Sequence, residues 1–141
     1  MKKILGIAVC CLLIGAITVV WMNRGPEPEV VIEPLHKETA QIACDQPTRD
    51  FGIIKAADGK VEHTFPVVNS GSAPLVLVNC DGSCGCITAE WSKQPIAPGA
   101  SGFVTVTYNP DGVNGVFMKT IQVVCNATNN PLELHIRGEV Q

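Results

Sequence analysis

Two cysteines separated by one glycine, Cys84-Gly85-Cys86, concentrate the chemistry of this 141-residue chain. Glycine permits the tight backbone that brings neighbouring thiols together. Three outcomes are open to them. They can close a small-ring disulfide, strained and easily reduced. They can hold a soft metal as thiolates, with Cys80 as a third ligand. Or they can pair with other cysteines as structural staples. A zinc site would normally show a second ligand pair such as CxxC or HxxxH, and the sequence has none. Nucleophilic or redox use requires the thiolate. Asp81 disfavours that anion, and no Lys or Arg lies within six residues on either side of the pair. A catalytic thiol therefore ranks below a structural or ligand-holding role.

The other chemistry-bearing side chains have simpler roles. His36 lies in a proline- and glutamate-rich stretch and reads as solvated. His63 aligns with Val61 and Phe65 at a strand start, which predicts a partly buried ring. His135 is expected on a solvent face. Trp91 is expected to plug one end of the core. Lys119 falls on an inward face, where its stem can snorkel. Asn126-Ala127-Thr128 matches a glycosylation sequon, meaningful only in a eukaryotic secretory pathway. No Ser/His/Asp ordering, nucleophile elbow, phosphate loop or paired-carboxylate element is visible, so an enzyme is not expected.

The segments that position the cysteines begin with a membrane signal. Lys2 and Lys3 precede Ile4–Met22, nineteen residues without a charge. At about 1.5 Å per residue this run just spans a bilayer core of roughly 30 Å. Trp21 stands where an interfacial aromatic belongs, and the flanking charges favour an inside N-terminus. The residues after the run offer no good cleavage site, which favours an uncleaved anchor over a cleaved or lipoprotein signal. The chain then divides into an anchor or signal over 1–24, a Pro/Glu-rich linker over 25–44 and a domain over 45–141. The ten Lys and Arg, less Lys2, Lys3 and Arg24, leave seven beyond residue 24 against all thirteen Asp and Glu, a net charge of -6. No basic stripe with interleaved aromatics appears, so nucleic acid is excluded as a partner. An exported location would also let disulfides among Cys44, Cys80, Cys84, Cys86 and Cys125 persist.

Short β-branched runs recur between turn signals from about Gln41 onward. They predict strands over Thr48–Ile54, Val61–Asn69, Leu75–Asp81, Ile87–Trp91, Gly102–Tyr108, Phe117–Asn126 and Leu132–Val140. Alternation places Val104, Val106 and Tyr108 inward on one strand. It does the same for Phe117, Ile121, Val123 and Cys125, and for Leu132, Leu134, Ile136 and Val140. Seven strands in this length fit an all-β, immunoglobulin-like, two-sheet antiparallel sandwich.

Arg49 to Val140 resembles the bacterial family of unknown function DUF1573, within the Ig-like group that includes ASH/Hydin and MSP-type modules. The carriers are Asp50-Phe51-Gly52, His63-Thr64-Phe65, Asn69 to Leu75, Ser83-Cys84-Gly85-Cys86, Trp91, Pro95 to Gly99, Gly115, and Leu134 to Gly138 with Val140. The resemblance implies a fold and an exported location, and no activity. Three positions depart from the family pattern: Ile87 stands in place of Thr, Cys80 in place of an apolar residue, and Cys125 in place of Ser or Thr. In an Ig-like order the strands that end near Cys80 and Cys125 are sheet neighbours, which makes a Cys80–Cys125 disulfide a candidate. The expected function is that of a membrane-tethered binding or assembly module with a protein partner and no cofactor. The alternative is a thiol-redox or soft-metal protein using Cys84 and Cys86.

Overall fold

The computed structural model describes residues 37–141. The uncharged run expected to span a membrane, and the linker as far as residue 36, lie outside the described residues. Among the described residues no helix is long and apolar enough to cross a membrane.

Eight strands form two facing sheets: β1 (Ile42–Ala43), β2 (Thr48–Ile54), β3 (Val61–Asn69), β4 (Leu77–Gly82), β5 (Ile87–Trp91), β6 (Ser101–Tyr108), β7 (Gly115–Cys125) and β8 (Leu132–Val140). The first sheet has the order β1-β3-β6-β5 and the second β2-β8-β7-β4. All seven expected strands are present. Leu75 stands just ahead of β4 and is held by an isolated bridge to Ile96.

Two features depart from the expectation. Residues 37–44, assigned from sequence to the linker, pack into the domain: Ala40 and Ile42 are core residues, and β1 pairs with the end of β3. The pairing is also not antiparallel throughout, because β2 runs parallel to β8. The chain changes sheets in the short connection from β1 to β2 and so enters the second sheet beside its last strand. The β2–β8 register breaks between Asp50 and Ile53. Gly52 supplies the positive φ (66°) of that bulge, and the Asp50 carboxylate accepts its N–H at 2.8 Å. Because β1 covers only Val68 and Asn69, the rest of β3 is an edge, and Pro66 sits there without a ladder donor to lose.

The inward faces are those the alternation predicts. Phe65, Val67, Val104, Val106 and Tyr108 from the first sheet meet Ile121, Val123, Leu134 and Ile136 from the second, all fully buried. Tyr108 stacks on Phe117 across the two sheets, with ring centroids 4.4 Å apart.

One end of the sandwich is held by asparagine amides bonded to backbone. Asn69 is fully buried. Its Nδ2 donates to the carbonyls of Ala73 (2.8 Å) and Ile96 (2.9 Å), and its Oδ1 accepts from the Gly71 N–H (3.0 Å). Asn126 accepts from the Val76 N–H and donates to the Pro74 carbonyl. Asn129 does the same for both backbone groups of Ile42. The Asn126 amide of the sequon is therefore already committed to the fold.

β4 and β7 are neighbours, as a Cys80–Cys125 bridge requires, yet both cysteines are free thiols. Cys80 faces Val123 and Cys125 faces Leu77, so the pair stands diagonally across the ladder. Burial pushes the Cys80 thiol up to about 12, outweighing the opposing charge of Lys93. Burial raises Cys125 and Cys44 as well. These sulfurs are packing groups, protonated at neutral pH.

Asn69→Ala should lower unfolding stability by about 2–4 kcal/mol in urea melts, because it orphans two carbonyls and an amide in the interior. A loss below that of the exposed control Asn126→Ala would refute the assignment. The Cys80 thiol binds its proton more tightly folded than unfolded. Its contribution is complete below the unfolded value of 9.0 and is lost as pH rises toward about 12. Stability measured by chemical denaturation should fall over that window, and less steeply in Cys80→Ala.

Candidate functional site

The strand ladders bring the turn Ser83–Cys86 to the end of the sandwich opposite the asparagine cluster. β4 and β5 are the edge strands of different sheets, so the turn between them straddles the interior. Gly82 is needed at this corner, since a Cβ there would lie 2.7 Å from that of Ile87. Each side of the turn is tied to a different sheet. The Ser83 N–H donates to the Thr120 carbonyl of β7, and the Cys86 carbonyl accepts from the Asn109 N–H just after β6.

Cys84 and Cys86 are joined as a disulfide with Cα atoms 5.3 Å apart. Of the outcomes open to the sequence, the structure contains the small ring. Soft-metal binding by these two sulfurs would require prior reduction. Among the described residues no group of three or more His, Cys, Asp or Glu is placed to hold a metal ion. Cys80 belongs to the core rather than to a ligand set with the turn. A Cβ built on Gly85 meets nothing within 4 Å, so the apex is open to solvent.

Charge around the turn differs from what the neighbouring sequence suggests. Asp81 accepts from the Asn79 amide at 2.8 Å on the outer face of β4. Lys60, distant in sequence, shares a cavity of about 100 Å³ with Gly85, Cys86, Thr88, Thr107 and Asn109. The β3–β6 and β5–β6 ladders create that proximity by setting Val61 and Ile87 on either side of Tyr108. No local sequence signal could have placed Lys60 there.

The remaining sequence candidates have packing roles. Trp91 packs against the core, and the Lys93 ammonium sits 3.1 Å from its ring centroid. His63 is half-buried, edge-on to Phe65 at 4.7 Å, and burial lowers its pKa, with Arg49 adding to the effect. His135 is on the outer face but half-buried, its Nδ1 3.1 Å from the Thr120 hydroxyl. Lys119 is half-buried on the inward face of β7.

A second feature escaped the sequence. Outward positions on the two strands that flank β8 in the second sheet carry large apolar side chains: Ile53 (65% exposed) on β2, and Val116 (84%) and Met118 (67%) on β7. Beside them a groove of about 330 Å³ is lined by Asp50, Gly52, Ile53, Val116, Arg137, Gly138 and Glu139. The Arg137 Nε–Asp50 Oδ2 ion pair (3.0 Å) belongs to its lining. The Gly52 N–H, reinforced by Arg137, holds the Asp50 carboxyl below its ordinary range. Nothing in this groove or around the turn is arranged as a nucleophile with a base.

Comparison with known proteins agrees with this architecture. A crystal structure of a protein of unknown function from Porphyromonas gingivalis W83 superposes with a TM-score of 0.62 at 20% identity, over 72% of this chain and 47% of that one. This chain thus spans about half of that structure. The ASH/PapD-like domain 7 of human CEP192 gives 0.59 at 10% identity, over 83% and 97%. The Vibrio cholerae VesB protease gives 0.55 at 18% identity, over 72% and 32%. At these identities the likeness is one of fold. No curated protein matches the chain. Residues 42–140 match the family described as "Protein of unknown function (DUF1573)", and the chain belongs to that family.

Proposed function

We propose that this protein is an exported, membrane-tethered binding module that docks a protein partner without catalysing a reaction. The observation that carries this reading is the exposed apolar side chains of Ile53, Val116 and Met118 on the two strands flanking β8, with the Asp50–Arg137 groove between them. Outward strand positions of a solvated sheet are ordinarily polar, and large exposed apolar groups gathered on one outer face mark an interaction surface. Arg137 and Glu139 of β8 lie between these apolar groups, so the surface offers a partner apolar and charged contacts together. The recurrence of this fold as about a third of the VesB protease chain supports the role of a module within larger assemblies.

Two independent features support export. Lys2 and Lys3 precede an uncharged run long enough to span a bilayer, with the acidic residues all on its far side. The Cys84–Cys86 disulfide belongs to an oxidising compartment.

A reporter active only outside the cytoplasm, fused at Gln141, should be active, and the protein should stay with membranes through high-salt washing. A stable but inactive fusion would overturn export. For docking, a photocrosslinking residue at Met118 should yield one discrete adduct in intact cells, and the same residue at Thr64 on the opposite outer face should not. Val116→Asp should abolish that adduct without changing the thermal midpoint. Equal crosslinking from both faces would refute the assigned surface.

A further inference from the structure

We propose that the Cys84–Cys86 disulfide is exchangeable, and that an incoming thiolate attacks it at Cys86 through the Lys60 cavity. This goes beyond docking at the second sheet, since the turn lies on a different part of the surface.

Four observations converge on the turn. The disulfide closes a ring across a single glycine, so it ties no distant segments together. The two sheets at this end are already joined through Ser83 to β7 and through Cys86 to Asn109. The bond is thus dispensable as a staple. The apex at Gly85 is open to solvent.

The third observation concerns direction. Thiol–disulfide exchange is an in-line displacement, in which the nucleophile approaches one sulfur from the side opposite the other. Cys86 lines the cavity and Cys84 does not. Attack from the cavity therefore falls on Cys86 and expels Cys84. The volume of about 100 Å³ admits a thiomethyl group and leaves the body of the attacker outside.

The fourth is electrostatic. The reactive form is the anion, and Lys60 supplies the positive charge on the cavity wall. The Thr88 and Thr107 hydroxyls and the Asn109 amide complete a polar lining. An opposing charge borders the cavity: the Glu62 carboxylate accepts from the Thr107 hydroxyl at 3.2 Å.

The reaction balances with a dithiol as co-reactant. Its thiolate forms a new S–S bond to Cys86 as the Cys84–Cys86 bond breaks, and Cys84 departs as thiolate and takes a proton. The second thiol of the donor then attacks its own bridging sulfur and releases Cys86 as a thiol. The donor is oxidised to a disulfide, and Cys84 and Cys86 are reduced. Cys80 takes no part, because burial keeps it protonated.

The attacking group is an alkyl thiolate from either a small thiol or a protein dithiol. The full chain in detergent, at neutral pH, would be mixed separately with glutathione and with reduced thioredoxin. Samples would be quenched with acid and mapped by mass. The expected result is a mixed disulfide on Cys86 with at least one probe, with Cys80 unlabelled. Lys60→Gln should slow the reaction about fivefold at low salt and leave it unchanged at high salt. Adduct from glutathione identifies small thiols as sufficient, and adduct from thioredoxin alone identifies a protein donor. The proposal fails if the adduct forms on Cys84, if neither probe reduces the folded protein, or if Lys60→Gln has no effect. None of these outcomes bears on crosslinking at Met118, so the two proposals fail separately.

Discussion

A single buried amide organises one end of this domain. Asn69 ends β3 in the interior, where an unpaired polar group is costly, and it spends its donors and acceptor on three backbone groups from two loops. Through the Ala73 carbonyl and Gly71 N–H it shapes the turn into β4. Through the Ile96 carbonyl it holds the long β5–β6 connection against that turn. Gly71 cannot carry a side chain, because a Cβ there would collide with the backbone of Thr39 and Ala40. The entering chain is thereby clamped over the same loops, and β1 is placed at the sheet edge. Asn126 and Asn129 repeat the device at the β7–β8 turn. Where strands are too short to satisfy each other, amide side chains take the place of missing ladder bonds.

The alternating faces of β6, β7 and β8 were legible because burial on one side imposes a period of two. The turns were legible because Gly, Asn and Pro are required at them. The parallel placement of β2 was not. Its sequence TRDFGII is mostly exposed and has no strict alternation to declare a partner or a direction. Nor was β1 visible, since two residues provide no period. Val116 and Met118 alternate correctly as outward positions, and only the sheet order shows that they and Ile53 share one outer face on either side of β8. Lys60 and Cys86 illustrate the same limit: their neighbourhood exists only after both ladders around β6 have formed.

The cysteines divide by environment rather than by spacing. Cys80 and Cys125 lie on neighbouring strands and behave as small apolar groups, with burial opposing ionisation. Cys84 and Cys86 lie on a turn held at its flanks and free at its apex. Clamped flanks and an open apex mean that the state of one covalent bond can change without the ladders around it having to break. The fold therefore separates a rigid frame from a locally variable tip.

That separation has a consequence for reach. The chain enters the domain beside Asn69 and Asn129, where the Thr128 N–H meets the Ala40 carbonyl, while the Cys84–Cys86 turn lies past the Tyr108 end of β6. The eight residues of β6 at about 3.3 Å each set these poles roughly 26 Å apart. The chain at Lys37 is thus joined to a stiff arm that carries its sulfur pair at the opposite end of the first sheet. Any thiol that meets this turn does so at a fixed distance from the point where the chain enters the domain, a distance set by strand length.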